Sequence, residues 1–237
     1  MDIAKAFTFI TEDEHWGEKV AIGVGVLAVS TLLSSVLVGI LGFFMITGYA
    51  LRLLQNVRDG AAQPLPEWNQ WGDDLIRGLK LAVVSLVWSL PIFVVIVPLG
   101  IGIALSDSGG NSGEFVGGVI IFCGVCLTVI YGLIVALLTP GFTIAFAKDE
   151  EIRSGLELTE IWRWTQQNLS QTLLAVIVTA IGSFAIGVVA IIVGILLCGV
   201  GLLATIPLSI FVTMLFQYHL FGQLARTQPL LIGEATA

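Results

Sequence analysis

The sequence predicts an all-α integral membrane protein, a six-helix bundle of three helical hairpins joined by amphipathic cytoplasmic linkers. Composition is the first reason, because 57% of the 237 residues are hydrophobic and only 11% are charged, which is typical of a chain surrounded by hydrocarbon. The second reason is that the ranges 81–105, 115–147 and 169–225 contain no Asp, Glu, Lys or Arg. Each exceeds the roughly 18 residues that suggest a membrane helix.

The first part of the chain, 1–16, predicts a short amphipathic segment on the membrane surface. Ile3, Phe7 and Ile10 recur at helical spacing, and an acidic cluster follows them. The segment has more acids than bases, the reverse of a secretory leader, so we expect it to remain in the mature protein.

The first apolar stretch, 20–51, would be about 48 Å long as one helix, too long for a straight crossing and short for two. A turn at 39–42 divides it into helices 20–38 and 42–57. All ten Lys and Arg residues then lie on the side of the two termini, which the positive-inside rule assigns to the cytoplasm.

A five-helix alternative, with one long tilted first helix, would separate Lys5 and Lys19 from the other cations. We therefore favour six helices, with Arg52 extending to the interface from a short second helix that crosses fully or only partly.

Length also defines the other four helices. A polar loop at 106–114 separates helices 75–105 and 115–147. The range 169–225 would form a helix of about 85 Å, more than twice the hydrocarbon thickness, so it must cross twice. Its glycine-rich turn gives helices 169–197 and 202–225.

The linkers 58–74 and 148–168 are predicted to form helices that lie in the membrane interface. Trp and Leu recur in both at steps of three and four residues. The two linkers share Leu, Glu and Trp at a constant sequence offset. This match has two interpretations: the chain contains a parallel repeat, or the two linkers converged independently.

The linkers also contain the candidate interaction site, for which two interpretations stand. Their tryptophans form an aromatic belt at the headgroup level, or the linkers form a docking or gating patch for a partner. The candidate patch residues are Arg52, Glu67, Trp68, Trp71, Glu160 and Trp164.

One set of residues forms a recognisable pattern along the chain: Trp16, Lys19, Gly23, Gly48-Tyr49, Arg52, Leu65-Pro66-Glu67-Trp68, Gly78-Leu79 and Pro140. In these residues the chain resembles a bacterial and archaeal membrane family, domain of unknown function 4013. The region from Gly199 to Pro207 is distantly similar to the membrane domain of some glycerophosphodiester phosphodiesterases. The second linker departs from the motif, with Thr159 where the first has Pro66. The resemblance implies a fold and a bacterial or archaeal plasma membrane, but no activity or catalytic residue.

The ionisable residues indicate no catalytic, cofactor or metal site. His15 and His219 have no carboxylates or thiolates beside them at ligand spacing. Cys123 and Cys126 lie on a predicted membrane helix, where apolar surroundings make thiols inert. We therefore predict a protein that is not an enzyme and needs no cofactor. Its net charge of −7, without a basic cluster, predicts no binding to nucleic acid and gives no polybasic footprint for anionic lipid.

Four prolines within the predicted membrane helices suggest kinks. They are Pro91, Pro98, Pro140 and Pro207. A proline removes a backbone hydrogen bond and bends the helix, so these kinks either shape the bundle alone or open a cavity for an uncharged or amphiphilic ligand.

Three functional hypotheses follow. The first is a non-enzymatic accessory or scaffold subunit that binds lipid, other membrane proteins or further copies of itself. The second is a carrier or channel for a small neutral or amphiphilic solute. The third is a membrane domain that presents lipid to a separate enzyme.

Overall fold

The computed structural model describes residues 1–34, 38–108, 110–197 and 199–230. The described chain is helical, without a β-strand, which confirms the all-α class. Its helices are α1 Ile3–Thr8, α2 Trp16–Leu32, α3 Gly39–Arg58, α4 Trp71–Ser108, α5 Gly110–Asp149, α6 Leu158–Gln167, α7 Leu169–Leu196 and α8 Leu202–Thr227.

Five of these helices, α3, α4, α5, α7 and α8, are long and apolar enough to cross a membrane. The lengths and composition of these helices therefore indicate a multi-pass membrane protein. Helix α2 has 17 residues, about 26 Å at the helical rise per residue. This is slightly less than a hydrocarbon core of about 30 Å, and a crossing by α2 stays a prediction.

The turn predicted at 39–42 is wrong, because α3 already begins at Gly39. The chain turns earlier, within a connection whose residues 35–37 lie outside the described ranges. The two glycines serve helix packing instead. A Cβ on Gly39 would overlap the backbone oxygen of Ser30, and one on Gly42 would overlap the Ser30 hydroxyl.

The polar loop predicted at 106–114 is also largely helical. Helix α4 continues to Ser108 and α5 begins at Gly110, while Gly109 lies outside the described residues. A helix satisfies its own backbone hydrogen bonds, so continuing it through the bilayer boundary leaves few polar groups unpaired. A prediction from residue polarity alone therefore ended α4 too early and began α5 too late.

The first linker is not a helix between Arg58 and Trp71, which corrects the prediction for 58–74. Pro64 and Pro66 explain the difference, because each lacks an N–H and disfavours helical backbone at the residue before it. The second linker does contain a helix, α6. The predicted N-terminal helix is present as α1, and Asp2 caps it by accepting a hydrogen bond from the Lys5 backbone N–H at 2.9 Å.

The tertiary core lies at the end of the bundle where the Lys and Arg side chains gather, here called the cation-rich end. Residues 140–147, the last turns of α5, are all buried. They pack among side chains of α3, α4, α6 and α8 in one apolar cluster. In contrast, Gly102 is the only buried residue among those described from 89 to 107 in α4. Packing therefore fixes the cation-rich end and leaves the far part of the hairpins apolar and exposed.

Candidate functional site

The first linker crosses the cation-rich end as a non-helical segment, residues 64–68, here called the strap. Pro64 and Pro66 disfavour a helix here, so the carbonyl groups of the strap have no helical hydrogen-bond partners. Five consecutive carbonyl oxygens each accept a side-chain hydrogen bond, which is how the structure satisfies them. The donors are Asn56 to Pro64 at 2.9 Å, Lys19 to Leu65 at 3.2 Å, Tyr49 to Pro66 at 2.8 Å, Arg52 to Glu67 at 2.9 Å and Trp71 to Trp68 at 3.0 Å.

Arg52 forms the central ion pair of this region. Its Nε and Nη2 donate to the two oxygens of Asp74 at 2.8 and 2.6 Å, in a bidentate pair. Arg77 adds a third hydrogen bond to Asp74 at 3.2 Å. Asp74 is fully buried, so its charge is tolerated only because these cations compensate for lost hydration. The pair joins α3 to the first turn of α4.

Lys19 extends the network to α2. Its ammonium contacts Asp13 at 2.8 Å and Glu67 at 2.7 Å. Burial acts to raise the pKa of Asp13, but hydrogen bonds from Lys19 and the His15 backbone outweigh it, so the net shift is downward. Asp13 is therefore charged at neutral pH and ties the N-terminal segment to the strap.

Trp68 fixes the strap through apolar contacts. Its ring stacks on Tyr49 with centroids 4.0 Å apart and also lies beside Phe211 of α8. The indole Nε1 donates to the backbone oxygen of Lys19 at 2.8 Å. The Leu-Pro-Glu-Trp sequence thus contacts α2, α3, α4 and α8, and its backbone cannot move without breaking several of these contacts.

A second network surrounds Glu150, directly after α5. Arg77 Nε lies 2.9 Å from both Glu150 oxygens, and Gln55 donates to the carboxylate at 3.1 Å. Lys80 donates to the Glu150 carbonyl oxygen at 3.2 Å. Glu150 has a φ of +60°, a left-handed conformation that favours glycine. The ion pair with Arg77 therefore helps to keep a glutamate in a backbone conformation that favours glycine.

Of the six predicted patch residues, the structure brings four together. Arg52, Glu67, Trp68 and Trp71 belong to the strap region described above. Trp164 lies on α6, where it is buried and donates to the Gln228 carbonyl at 3.1 Å. Glu160, also on α6, lines a different cavity of about 740 Å³ with Glu157. Burial raises the pKa of Glu157, and the nearby charge of Glu160 adds to the shift.

Most of the strap region is buried, but one side of it is accessible. The Glu67 side chain is 64% exposed and Trp71 is 42% exposed. Beside them lies a pocket of about 290 Å³ whose walls include His15, Glu18 and Asn69. The accessible surface of the predicted patch therefore includes only some of its six residues and is centred on Glu67.

The prolines divide into two groups. Pro91 and Pro98 are exposed on α4, whereas Pro140 and Pro207 are buried in α5 and α8. An apolar groove of about 360 Å³ runs between α7 and α8 close to Pro207, and its lining includes Ala190 and Thr205. The hydroxyl of Thr205 is buried without a hydrogen-bond partner among the described residues.

Sequence reasoning missed Asp74 and Glu150, the two buried or strained carboxylates that organise this end. Asp74 precedes Arg77 by three residues, a spacing that favours a helical ion pair. This spacing could have identified Asp74 from the sequence. Glu150 gave none, since Arg77 is far from it in sequence. Within the described ranges, no three His, Cys, Asp or Glu side chains are grouped so as to hold a metal.

Comparison with known proteins gives one family. A model with the description "Protein of unknown function (DUF4013)" matches residues 31–199. The match includes the strap and its partners Tyr49, Arg52 and Asp74, whereas Lys19 and α8 lie outside it. No curated protein and no solved structure matches the chain.

Proposed function

The chain belongs to the family described as protein of unknown function (DUF4013), and we propose that it is a non-enzymatic accessory or scaffold subunit of a bacterial or archaeal plasma membrane. In this proposal, the strap region is a rigid platform that binds a partner, and the apolar hairpins anchor it among lipids and other membrane proteins.

The observation that carries the proposal is how the charged side chains are used. Arg52, Asp74, Arg77 and Glu150 bind one another and link α3, α4 and the end of α5. A general acid or base must reach a substrate proton, but these groups are turned inward onto protein atoms. Such a network rigidifies a surface, which lowers the entropic cost of binding a partner.

The docking face of the platform is the accessible side of the strap. Glu67 and Glu18 give it negative charge, and the pocket between them contains part of Trp68. Trp71 is exposed, and its ring lies 5.2 Å from that of Trp68. Exposed aromatic and acidic groups beside a preformed pocket favour a partner segment that presents a cationic side chain and an apolar one.

Native purification with quantitative mass spectrometry tests this proposal. Glu67→Gln and Trp71→Ala should reduce recovery of a stoichiometric partner, while the variants still insert into the membrane and purify as folded protein. Trp162→Ala is the matched control, because Trp162 is similarly exposed on α6. If the partner is recovered equally with all three variants, the strap is only a structural element.

We also propose six crossings, with both termini and the cation-rich end in the cytoplasm. The structure supports a single-ended arrangement, since Arg58 donates to the Ala147 carbonyl at 3.0 Å and Lys80 to that of Glu150. The positive-inside rule then gives the orientation.

Labelling of single cysteines in a background without the native ones tests this topology. Arg153→Cys should be protected from an impermeant thiol reagent applied to intact cells, whereas Asp107→Cys should react. Both positions are exposed in the structure. Labelling of Arg153→Cys from outside would reverse the proposed orientation.

One observation favours the rival function, a carrier for a small neutral or amphiphilic solute. The α7–α8 groove lies in two membrane-spanning segments and contains the unpaired hydroxyl of Thr205. Ala190→Phe would fill this groove. If wild-type protein purifies alone with one solute and Ala190→Phe loses that solute, the carrier function replaces the scaffold proposal.

A further inference from the structure

A cavity of about 550 Å³ lies at the cation-rich end, between the N-terminal segment, the turn after α3 and the end of α8. It is separate from the strap region's exposed face, which opens beside Glu67. Its polar lining includes Asp2, Lys5, His219, Gln223 and Arg226, and Gly60 forms part of the wall.

Gln223 builds one wall by binding the N-terminal segment. Its side-chain amide pairs with both backbone groups of Asp2, accepting from the N–H at 2.6 Å and donating to the carbonyl at 2.8 Å. One oxygen of the Asp2 carboxylate accepts the Lys5 backbone N–H at the start of α1. These bonds hold the start of α1, and with it Lys5, beside the cavity.

Arg226 forms the opposite wall. A Cβ built on Gly60 would lie 3.6–3.7 Å from three guanidinium atoms, so the guanidinium lies against the Gly60 backbone. Gly60 has a φ of +78°, and this left-handed turn brings the backbone close to the cation. Among the residues that the structure describes, no carboxylate is within ion-pair distance of Arg226.

Arg226 and Lys5 place two cations on the wall of a cavity that the acidic residue Asp2 also lines. A guanidinium presents paired N–H donors that match phosphate oxygens, and an ammonium adds a flexible point charge. The Lys5 ammonium pairs with the exposed side chain of Glu12. A phosphate with two negative charges would compete with that single carboxylate for Lys5.

The helix α1 beside the cavity is amphipathic, as expected of a segment at the membrane interface. On α1, Ile3 and Phe7 remain exposed, and the Phe7 ring lies 4.3 Å from that of Phe216 on α8. An amphipathic helix with such a face lies at the boundary between headgroups and acyl chains. The polar side of α1 therefore faces the level of lipid phosphates.

We propose that this cavity binds a phosphate group between Arg226 and Lys5, from either a phospholipid headgroup or a soluble phosphate ester. The strap residue Pro64 lines this cavity, but the two proposed phosphate ligands lie outside the strap and its exposed face. The phosphate site and the scaffold function can therefore each fail alone.

The test uses full-length protein in detergent and in lipid nanodiscs. Inorganic phosphate is titrated by calorimetry, and native mass spectrometry compares retention of phosphatidylglycerol with that of phosphatidylcholine. We expect Arg226→Gln to weaken the binding about tenfold, the loss of one charge-assisted contact. Binding of inorganic phosphate alone indicates a soluble ester, and preferential retention of phosphatidylglycerol indicates a lipid headgroup.

Two further variants separate the site from general charge effects. Arg153→Gln makes the same charge change at a side chain that is 87% exposed, so it should leave binding unchanged. Glu12→Gln releases Lys5 and should tighten binding, an increase that misfolding cannot mimic. The proposal is wrong if wild type binds neither probe, or if Arg153→Gln weakens binding as much as Arg226→Gln does.

Discussion

The hydroxyl of Tyr49 donates a hydrogen bond to the carbonyl oxygen of Pro66 at 2.8 Å. Tyr49 is fully buried in α3, and Pro66 is in the middle of the strap. This bond joins a membrane-spanning helix to a segment that has no helical hydrogen bonds of its own, and the neighbouring side chains repeat the arrangement along the strap.

Tyr49→Phe should destabilise the protein by about 1–3 kcal/mol, because the Pro66 carbonyl loses its donor while it stays buried. Tyr49→Leu should cost about 0.5–1.5 kcal/mol more, since the stack on Trp68 is lost as well. The free energy of unfolding in mixed micelles, from denaturing-detergent titration, measures both. Equal stability of Tyr49→Phe and wild type would show that the bond contributes nothing.

Arg52→Gln should be more damaging, with a loss of about 3–5 kcal/mol, because the fully buried Asp74 carboxylate loses its bidentate partner. The double variant Arg52→Met with Asp74→Leu should lose less than the sum of its single variants. The same unfolding titration completes this double-mutant cycle. Strict additivity would mean that the two side chains act independently.

Acid should weaken the Asp13–Lys19 pair in a defined range. The folded-state pKa of Asp13 is below its usual value of 3.8, so its contribution is present above about pH 4 and is lost as the pH falls through the lower, folded-state pKa. Asp13→Asn should therefore have a lower Tm than wild type at neutral pH, and the difference should disappear in strong acid. A difference that persists at the lowest pH would assign the effect to packing.

The backbone at Glu150 gives a test that separates strain from charge. Glu150→Ala and Glu150→Gly both remove the carboxylate that Arg77 binds, but only glycine adopts a φ of +60° without strain. We expect Glu150→Ala to be the less stable by about 1 kcal/mol, measured by thermal unfolding in detergent. The reverse order would show that the turn relaxes when its ion pair is removed.

Gly48 marks the close approach of α3 and α4. A Cβ there would overlap the backbone oxygen of Asp74, whereas a Cβ on Gly132 meets nothing within 4 Å. Gly48→Ala should destabilise by about 1–3 kcal/mol, and Gly132→Ala should be neutral or slightly stabilising. Tm and elution volume compare the two variants. A tolerated alanine at Gly48 would mean that the helices can separate without cost.

Sequence reasoning located the strap but not its role. It singled out Arg52 and the Leu-Pro-Glu-Trp element, and the structure brings these together. It also predicted a helix across 58–74, because Trp68, Trp71 and Leu75 have helical spacing. That spacing is real only from Trp71 onward, where α4 begins. Pro64 and Pro66 override the pattern before it, since periodicity cannot restore the missing N–H groups.

The amino-acid sequence alone determined the helical membrane class, because long charge-free ranges must satisfy their backbone hydrogen bonds within one segment in hydrocarbon. Hydropathy and length are local properties, so they can be counted along the chain. Only the tertiary structure decided that Arg52 pairs with Asp74, that Arg77 reaches Glu150, and that α6 carries Trp164 away from Glu67. Those pairings depend on how α3 and α4 cross at Gly48 and how the helices pack around the end of α5, and no local pattern encodes that geometry.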